Sequence, residues 1–502
     1  MIATIALVSQ AVFARTYGGG SYNEGVFSVV QSPDSGFVAA GARGPGGPYH
    51  FLVLRLDKLG GILWAKEYRG PVWDWAEDII CTSDGGYAVL GWSNSFGAGD
   101  LDILLLKLDP SGNLTWAKTY GGTGEEMAWS IIQTSDGGYA VAGATSSFGA
   151  GQDEPIILKL DPSGNLIWAR TYGGTGGDYF WSIIQTGDGG FAAAGFTTSF
   201  GAGSSDALLV RLDQSGNTIW AKTYGGTNYD RIEPVIQTPD GGFVVAGWTE
   251  SFGAGSEDAL IIRLNADGDM VWARTLGGAS DDWLRSIVQT TDGGFAFAGT
   301  TMSFGIGQED YFVGKLDDAG NLVWARTFGG TDYDIGFSVT QTLDRGLAVA
   351  GFSASFGGVE DCLILKMSGS GDYPGCVESC YPSVNVPSLS VSSPTLGAPC
   401  SPSVVSQTVS VAALSYSLLD VCPPAYEVKE DNPGSIRPGV IVSIVPGGLV
   451  LLSDQDLLVR IYSVDGRLVC SGDLVKGRNE IHLEQGVYLW NAGQYKGKVV
   501  VK

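Results

Sequence analysis

Seven carboxylates stand at equivalent places along the chain: Glu24, Asp74, Glu126, Asp178, Asp230, Asp282 and Asp334. Each precedes a short strand-like segment, and oxygen donors repeated in this way are what a hard cation such as calcium takes as ligands. Lined up around one axis, they would ring the mouth of a central channel. The competing reading is structural, because short acidic side chains beside glycine-rich turns cap backbone N–H groups. A second acidic series, Asp102, Glu154, Asp206, Asp258, Asp310 and Asp361, is interrupted by His50. Neither series has the Asp-x-Asp-x-Asp-Gly spacing of a dedicated calcium loop. Aromatic residues near these loops differ from copy to copy: Trp73, Trp75, Trp129, Tyr179, Trp181, Tyr229, Trp283 and Tyr333, with Trp92 and Trp248 nearby. Such platforms suit sugar rings, whose C–H faces stack on π-faces while hydroxyls find polar neighbours. Packing between repeats is the alternative for the same residues.

Catalysis would call for one copy that breaks the pattern with a nucleophile, an acid/base pair or an arginine cluster. None is read from the repeats, so the expectation is a protein that is not an enzyme and holds no cofactor beyond a candidate calcium ion. The alternative is a carbohydrate-active enzyme, a glycoside hydrolase or lyase, using carboxylates near a central channel. Only two histidines are present, His50 and His482, and no Cys and His residues have zinc-ligand spacing. With 53 acidic against 29 basic residues the formal net charge is -24, which disfavours nucleic acid and anionic membranes as partners.

The elements that position these residues follow from a repeat. Trp64, Trp116, Trp168, Trp220, Trp272 and Trp324 are each 52 residues apart, and Phe13 holds the same place one copy earlier. Each copy reads as four strands. Leu114–Tyr120 leads through Gly121-Gly-Thr-Gly124 to Ser130–Thr134, and the Asp-Gly turn at 135–138 leads on to Tyr139–Thr145. A second long loop, 146–151, precedes Ile156–Asp161, and Pro162-Ser-Gly-Asn165 turns into the next Trp strand. Among 502 residues, 76 are glycine and 44 % are hydrophobic, which fits many short strands joined by tight turns and disfavours a helical fold.

Four antiparallel strands repeated seven times predict an all-β, seven-bladed β-propeller over residues 12–372. The chain begins on an outermost strand and ends its repeats on a third one, so the N-terminal strand at 12–17 is expected to complete the last blade beside Cys362–Met367. Both long loops then share one face, the expected binding surface. The repeated "GG-x-x-x-D", "G-x-x-x-x-G" and "D-x-x-x-x-K-L-x-x-x-G" elements resemble the seven-bladed β-propeller repeat family of bacterial secreted and surface proteins. That family implies an architecture and leaves activity open.

Residues 1–11 read as the end of a secretory signal peptide. Residues 373–425, rich in Pro and Ser, read as an extended linker. The linker holds Cys376, Cys380, Cys400 and Cys422, whose disulfide connectivity the spacing leaves open. Cys81, Cys362 and Cys470 fall in strand patterns and are expected to be small buried hydrophobes. No apolar run approaches the roughly 18 residues of a membrane-spanning helix.

Strand patterns resume over 426–502 and suggest a small Ig-like β-sandwich. Asn432-Pro433, Val459-Arg-Ile-Tyr-Ser-Val-Asp-Gly-Arg-Leu-Val469, Gly486-Val-Tyr-Leu489 and a terminal strand ending in Lys502 resemble the type A sorting domain of the type IX secretion system. The resemblance implies a sorting signal that includes Asp465, Gly466, Arg467, Gly486 and Tyr488, and the type IX secretion machinery as partner. It also implies a secreted or outer-membrane surface-attached protein; the long-loop face, read separately, makes that protein a binding or structural module with a glycan or a surface protein as its expected ligand. The segment at Lys476-Gly-Arg-Asn479 departs from the family's usual small-residue element there.

Overall fold

The computed structural model describes residues 12–372 apart from 19–21, 45, 150 and 357–358, and beyond 372 the backbone of strands between 377 and 501. The signal-peptide reading of 1–11 lies outside the described residues, as do Cys376, Cys380, Cys422 and the sorting residues Asp465, Gly466 and Arg467.

Residues 13–367 form seven antiparallel blades of four strands each. Blade 1 runs outward from the axis as Asn23–Gln31, Phe37–Gly44, His50–Leu56 and Ile62–Arg69. Blades 2 to 6 repeat this order over 74–121, 126–171, 178–225, 230–277 and 282–328. Blade 7 takes its inner three strands from Asp334–Met367 and its outermost, Phe13–Gly18, from the start of the chain. That strand pairs Phe13 with Lys366 and Tyr17 with Cys362, the closure expected from strand order. Innermost strands neighbour one another all round the ring, blade 7 against blade 1 included.

Strands in the middle of each blade are apolar on both faces because both faces are covered by neighbouring blades; in Asp102–Leu108 every residue is buried. Between blades, the tryptophan of one outermost strand packs on a turn glycine of the next. A Cβ on Gly112, whose φ is +72°, would lie 2.8 Å from the Trp64 ring. The Tyr68 hydroxyl donates to the carbonyl of the same Gly112 at 2.7 Å, and Tyr17, Tyr120, Tyr172 and Tyr224 repeat the contact. Each blade also pairs a lysine or arginine with the aspartate of the turn between its first two strands, as in Lys107 with Asp84 at 2.8 Å. Cys362 is buried and Cys81 half-buried, both as free thiols.

The segment read as a linker is extended, but its backbone is not left to solvent. Within the first of two compact units, six short strands pair antiparallel with the outermost strands of blades 5, 4, 3, 2, 1 and 7 in turn. They are Ser383–Asn385, Ser390–Ser392, Ala398–Cys400, Ser403–Ser406, Ser410–Ala413 and Ser417–Asp420. The outermost strand of a blade offers an unpaired row of N–H and C=O groups, and an extended chain is the segment able to satisfy it. Composition conveys the extension but not the partners.

In the second unit, Val440–Val445, Gly448–Ser453 and Gly477–His482 form one antiparallel sheet. Leu457–Ser463, Leu468–Leu474, Gly486–Ala492 and Tyr495–Val501 form another. Gly486 stands opposite Val501, and Tyr488 stands between Ser463 and Val499.

Deleting residues 12–17 should lower the melting temperature of the full chain, because it uncovers the Asp361–Met367 edge and opens the ring. A melting curve that does not move on this deletion would count against the clasp.

Candidate functional site

The first carboxylate series is buried, one residue per blade, with relative exposures of 0–1 %. In six blades the carboxylate accepts a hydrogen bond from its own glycine-rich loop. Gly70 N–H donates to Asp74 at 2.6 Å, Gly174 to Asp178 at 2.8 Å, Gly226 to Asp230 at 2.7 Å and Gly330 to Asp334 at 2.7 Å. Gly122 and Gly278 serve Glu126 and Asp282 in the same way. In five of these blades a Ser or Thr hydroxyl from the second strand donates to the other oxygen, as Ser93 does to Asp74 and Thr145 to Glu126, whereas Asp334 Oδ1 is buried without a partner among the described residues. Glu24 is ion-paired with Arg43 at 2.6 Å. These groups tie loops to strands, as the capping alternative expects. The second series does similar work: Asp102 accepts from Gly99 and Asp206 from Gly203. A Cβ on Gly225 would lie 2.3 Å from Asp206 Oδ1 and 2.7 Å from Asp230 Oδ2, which is why that loop position takes glycine. Among the described residues, no group of three or more His, Cys, Asp or Glu side chains is placed to hold a metal ion.

Two positions beyond the tethered carboxylate differ from blade to blade. The residue immediately after it is Gly25, Trp75, Met127, Tyr179, Arg231, Trp283 or Ile335. The third residue after it is Phe27, Glu77, Trp129, Trp181, Glu233, Arg285 or Phe337. In each blade the register slips at this third residue: Ala76 pairs with Gly91 and Asp78 with Leu90, leaving Glu77 as the extra residue of a β-bulge. Bulges re-aim a side chain. The bulge is accommodated by a glycine on the second strand, for a Cβ on Gly91 would meet the Trp75 carbonyl oxygen at 1.9 Å. The fourth residue stitches neighbouring inner strands together. Ser130, Ser182 and Ser338 accept from the backbone N–H groups of Ile183, Val235 and Val29, and Asp78 accepts from Ile131.

Sequence-expected aromatics gather at these positions. Trp75 is stacked between Phe27, at 5.2 Å, and Trp92, at 5.9 Å and 4° between planes. Trp129 meets Tyr179 edge-on, and Tyr179 and Trp181 both contact Phe196. Trp283 donates its indole N–H to Glu257. Trp73, Tyr229 and Tyr333 precede the tethered carboxylate and stand 38–43 % exposed on the long-loop face. The regularly spaced Trp64 to Trp324 set stays in the outer packing.

Sequence reasoning missed the charges. Contrary to the expectation that no blade breaks the pattern, Glu77, Glu233, Arg231 and Arg285 make blades 2, 5 and 6 unlike the others. Glu233 of blade 5 and Arg285 of blade 6 lie near enough to Glu77 of blade 2 for their charges to act on it. Arg285 pairs with Glu233 at 3.3 Å, and Trp92 donates its indole N–H to Glu77 at 3.1 Å. Desolvation pushes the Glu77 carboxyl up to about 8, opposed by the Trp92 hydrogen bond. Desolvation likewise raises Asp78, to about 6, against the N–H of Ile131 and the hydroxyl of Ser28. Aligning the seven copies on the carboxylate would have exposed the irregular column at its third residue.

The family model of a beta-propeller domain of unknown function, DUF5122, matches residues 238–270, which run from the Asp-Gly turn of blade 5 to the start of its outermost strand. Over 187 residues the chain is 25 % identical to the regulatory protein FlaEY of Caulobacter vibrioides; the match takes in 32 % of this chain and 20 % of that protein. Among solved structures, Sqt1 from Chaetomium thermophilum is similar at a TM-score of 0.39 and 13 % identity, over 67 % of this chain and 81 % of that one. PorZ, a surface component of the type IX secretion system of Porphyromonas gingivalis, is similar at a TM-score of 0.25 and 11 % identity, over 97 % and 100 %. These likenesses concern the fold and carry no argument about activity.

The raised Glu77 carboxyl favours the folded state while protonated. Its contribution is complete below the unfolded value near 4.5 and is lost as pH rises through about 8. Glu77→Gln should therefore melt close to wild type at about pH 5 and above wild type at about pH 9. Identical offsets at both pH values would show that Glu77 is not held protonated.

Proposed function

We propose that the protein is an exported binding propeller that takes a carbohydrate at the long-loop mouth of its central channel. One observation carries the reading. Scaffold residues recur blade after blade, whereas the two inner-strand positions after the tethered carboxylate vary and carry indoles and phenols in blades 2, 3, 4 and 6. Packing alone would reward repetition there as elsewhere. Stacked aromatic faces with charged groups beside them suit a ring with an apolar face and polar edges. Because the tethered carboxylates are already bonded to loop amides, binding is expected to be the same with calcium and with EDTA.

A second reading has its own support. Desolvation raises both carboxyls, Glu77 to about 8 and Glu233 against the opposing charges of Arg285 and Arg231, and only Glu233 has an ion-paired arginine, an asymmetry an acid/base pair could use. A carbohydrate-active enzyme built on them would lose turnover in both Glu77→Gln and Glu233→Gln. Turnover of no polysaccharide in a broad panel leaves binding as the function.

Export rests on the C-terminal motifs, with residues 426–502 as a type IX sorting domain of Ig-like form and the mature chain released or held at the cell surface. Fused to a periplasmic reporter in a host that has the machinery, these residues should carry it to the surface or medium; retention in the periplasm would refute the route. For binding, a glycan array with the full chain should give specific signals that fall at least about tenfold in Trp181→Ala. A blank array would remove the carbohydrate reading and shift the weight to a protein ligand.

A further inference from the structure

Arg231 is the residue directly after the tethered Asp230 on the innermost strand of blade 5, where the other blades place an aromatic, an aliphatic or a glycine. Its guanidinium carbon lies 4.1 Å from the centre of the Phe196 ring, with the Trp248 ring at 5.2 Å and Tyr229 and Trp181 at about 6 Å. Its Nε–H is buried and meets no acceptor. The cations of the scaffold are arranged differently. Arg285 pairs with Glu233, Arg43 with Glu24, and each turn aspartate with its own lysine or arginine. Arg231 has no such ion pair or hydrogen bond among the described residues. The carboxylates whose fields reach it are engaged elsewhere: Glu233 faces Arg285, and Glu257 accepts from the Trp283 indole.

An unpaired guanidinium withdrawn from water is costly, and stacking on aromatic faces offsets only part of that cost. In a chain with a formal charge of -24, carboxylates are the most plentiful charged groups, yet none is brought to this one. Stacking occupies the flat faces of the guanidinium and Nε–H is buried, which leaves the two Nη groups at its end, able to grip a carboxylate or sulfate through two parallel hydrogen bonds.

We infer that Arg231 is the anion-recognition residue of the channel mouth, and that the saccharide bound there carries an acidic group, a uronate carboxylate or a sulfate ester. This rests on the carbohydrate reading and narrows it. The sugar ring stacks on the neighbouring aromatics while its acidic substituent meets the guanidinium edge, and the affinity falls with added salt.

The test is calorimetric titration of the full chain with three oligosaccharides of equal length: oligogalacturonate, neutral oligogalactan and sulfated oligogalactan. Wild type should prefer at least one acidic oligomer to the neutral one by about tenfold or more at low salt. The tighter of the two identifies the substituent. Arg231→Gln should abolish the preference, so that the variant binds acidic and neutral oligomers with equal affinity. Arg231→Lys keeps the charge and the stem, and should lose most of the preference because an ammonium lacks the planar fork. Neutral and acidic oligomers bound equally by wild type, or a preference that survives in both variants, would overturn the inference and leave carbohydrate binding standing. No binding of any of the three would remove both.

Discussion

The ring exists because its first strand is borrowed from the far end of the chain. Phe13–Gly18 supplies the outer edge of blade 7, and only with that strand in place does the innermost strand of blade 7 sit against that of blade 1. A channel is a property of the closed ring and of no single blade. The seven inner strands are further joined by side chains that reach across blade boundaries, including the bond from Val29 N–H to Ser338 across the closure. On the opposite face Gln31 accepts from Leu343 N–H across the same boundary. Closure is thus fastened at the outer edge, at the channel and at the turn face.

Within that ring, repetition and irregularity divide the labour. Everything that holds a blade to its neighbour recurs: the indole on a turn glycine, the tyrosine hydroxyl on its carbonyl, the turn aspartate with its cation, and the carboxylate on its loop amide. These contacts pair most of the buried polar groups of the scaffold inside the protein. The inner-strand bulge is repeated too, but its side chain is not. A constant backbone feature presenting a variable residue is how a rigid scaffold can be respecified without being rebuilt.

The fold was legible because its signals are local and sevenfold. A tryptophan every 52 residues, an Asp-Gly turn and a glycine-rich loop in fixed order leave few architectures, and strand order then required the clasp at 12–17. The tethered carboxylates were readable only as a choice between a cation and a cap. What favours the cap is the glycine beside them, whose missing Cβ lets the loop amide reach the carboxylate. Glu77 and Glu233 were not legible, since in a repeat a lone glutamate resembles neutral drift. Only the register slip that makes the third residue a bulge gives that column meaning. The strands at 383–420 left a faint trace in Ser383-Val384, Ser390-Val391, Ser403-Val404 and Ser410-Val411, yet their partners lie far away in sequence and follow from proximity, not composition.

That belt also bears on how the channel can be lined so freely. A strand of three or four residues has little stability of its own. Each gains its hydrogen bonds only because an outermost strand is already held in place by its blade, and the belt in turn covers edges through which propellers would otherwise pair with one another. The circumference is thereby fastened by the indole, tyrosine and belt layers, while the innermost strands are fastened to one another by the side chain that follows each bulge. Between these two sets of repeated contacts the bulge position itself varies, and it is there that blade 2 carries Glu77 and blade 5 carries Glu233.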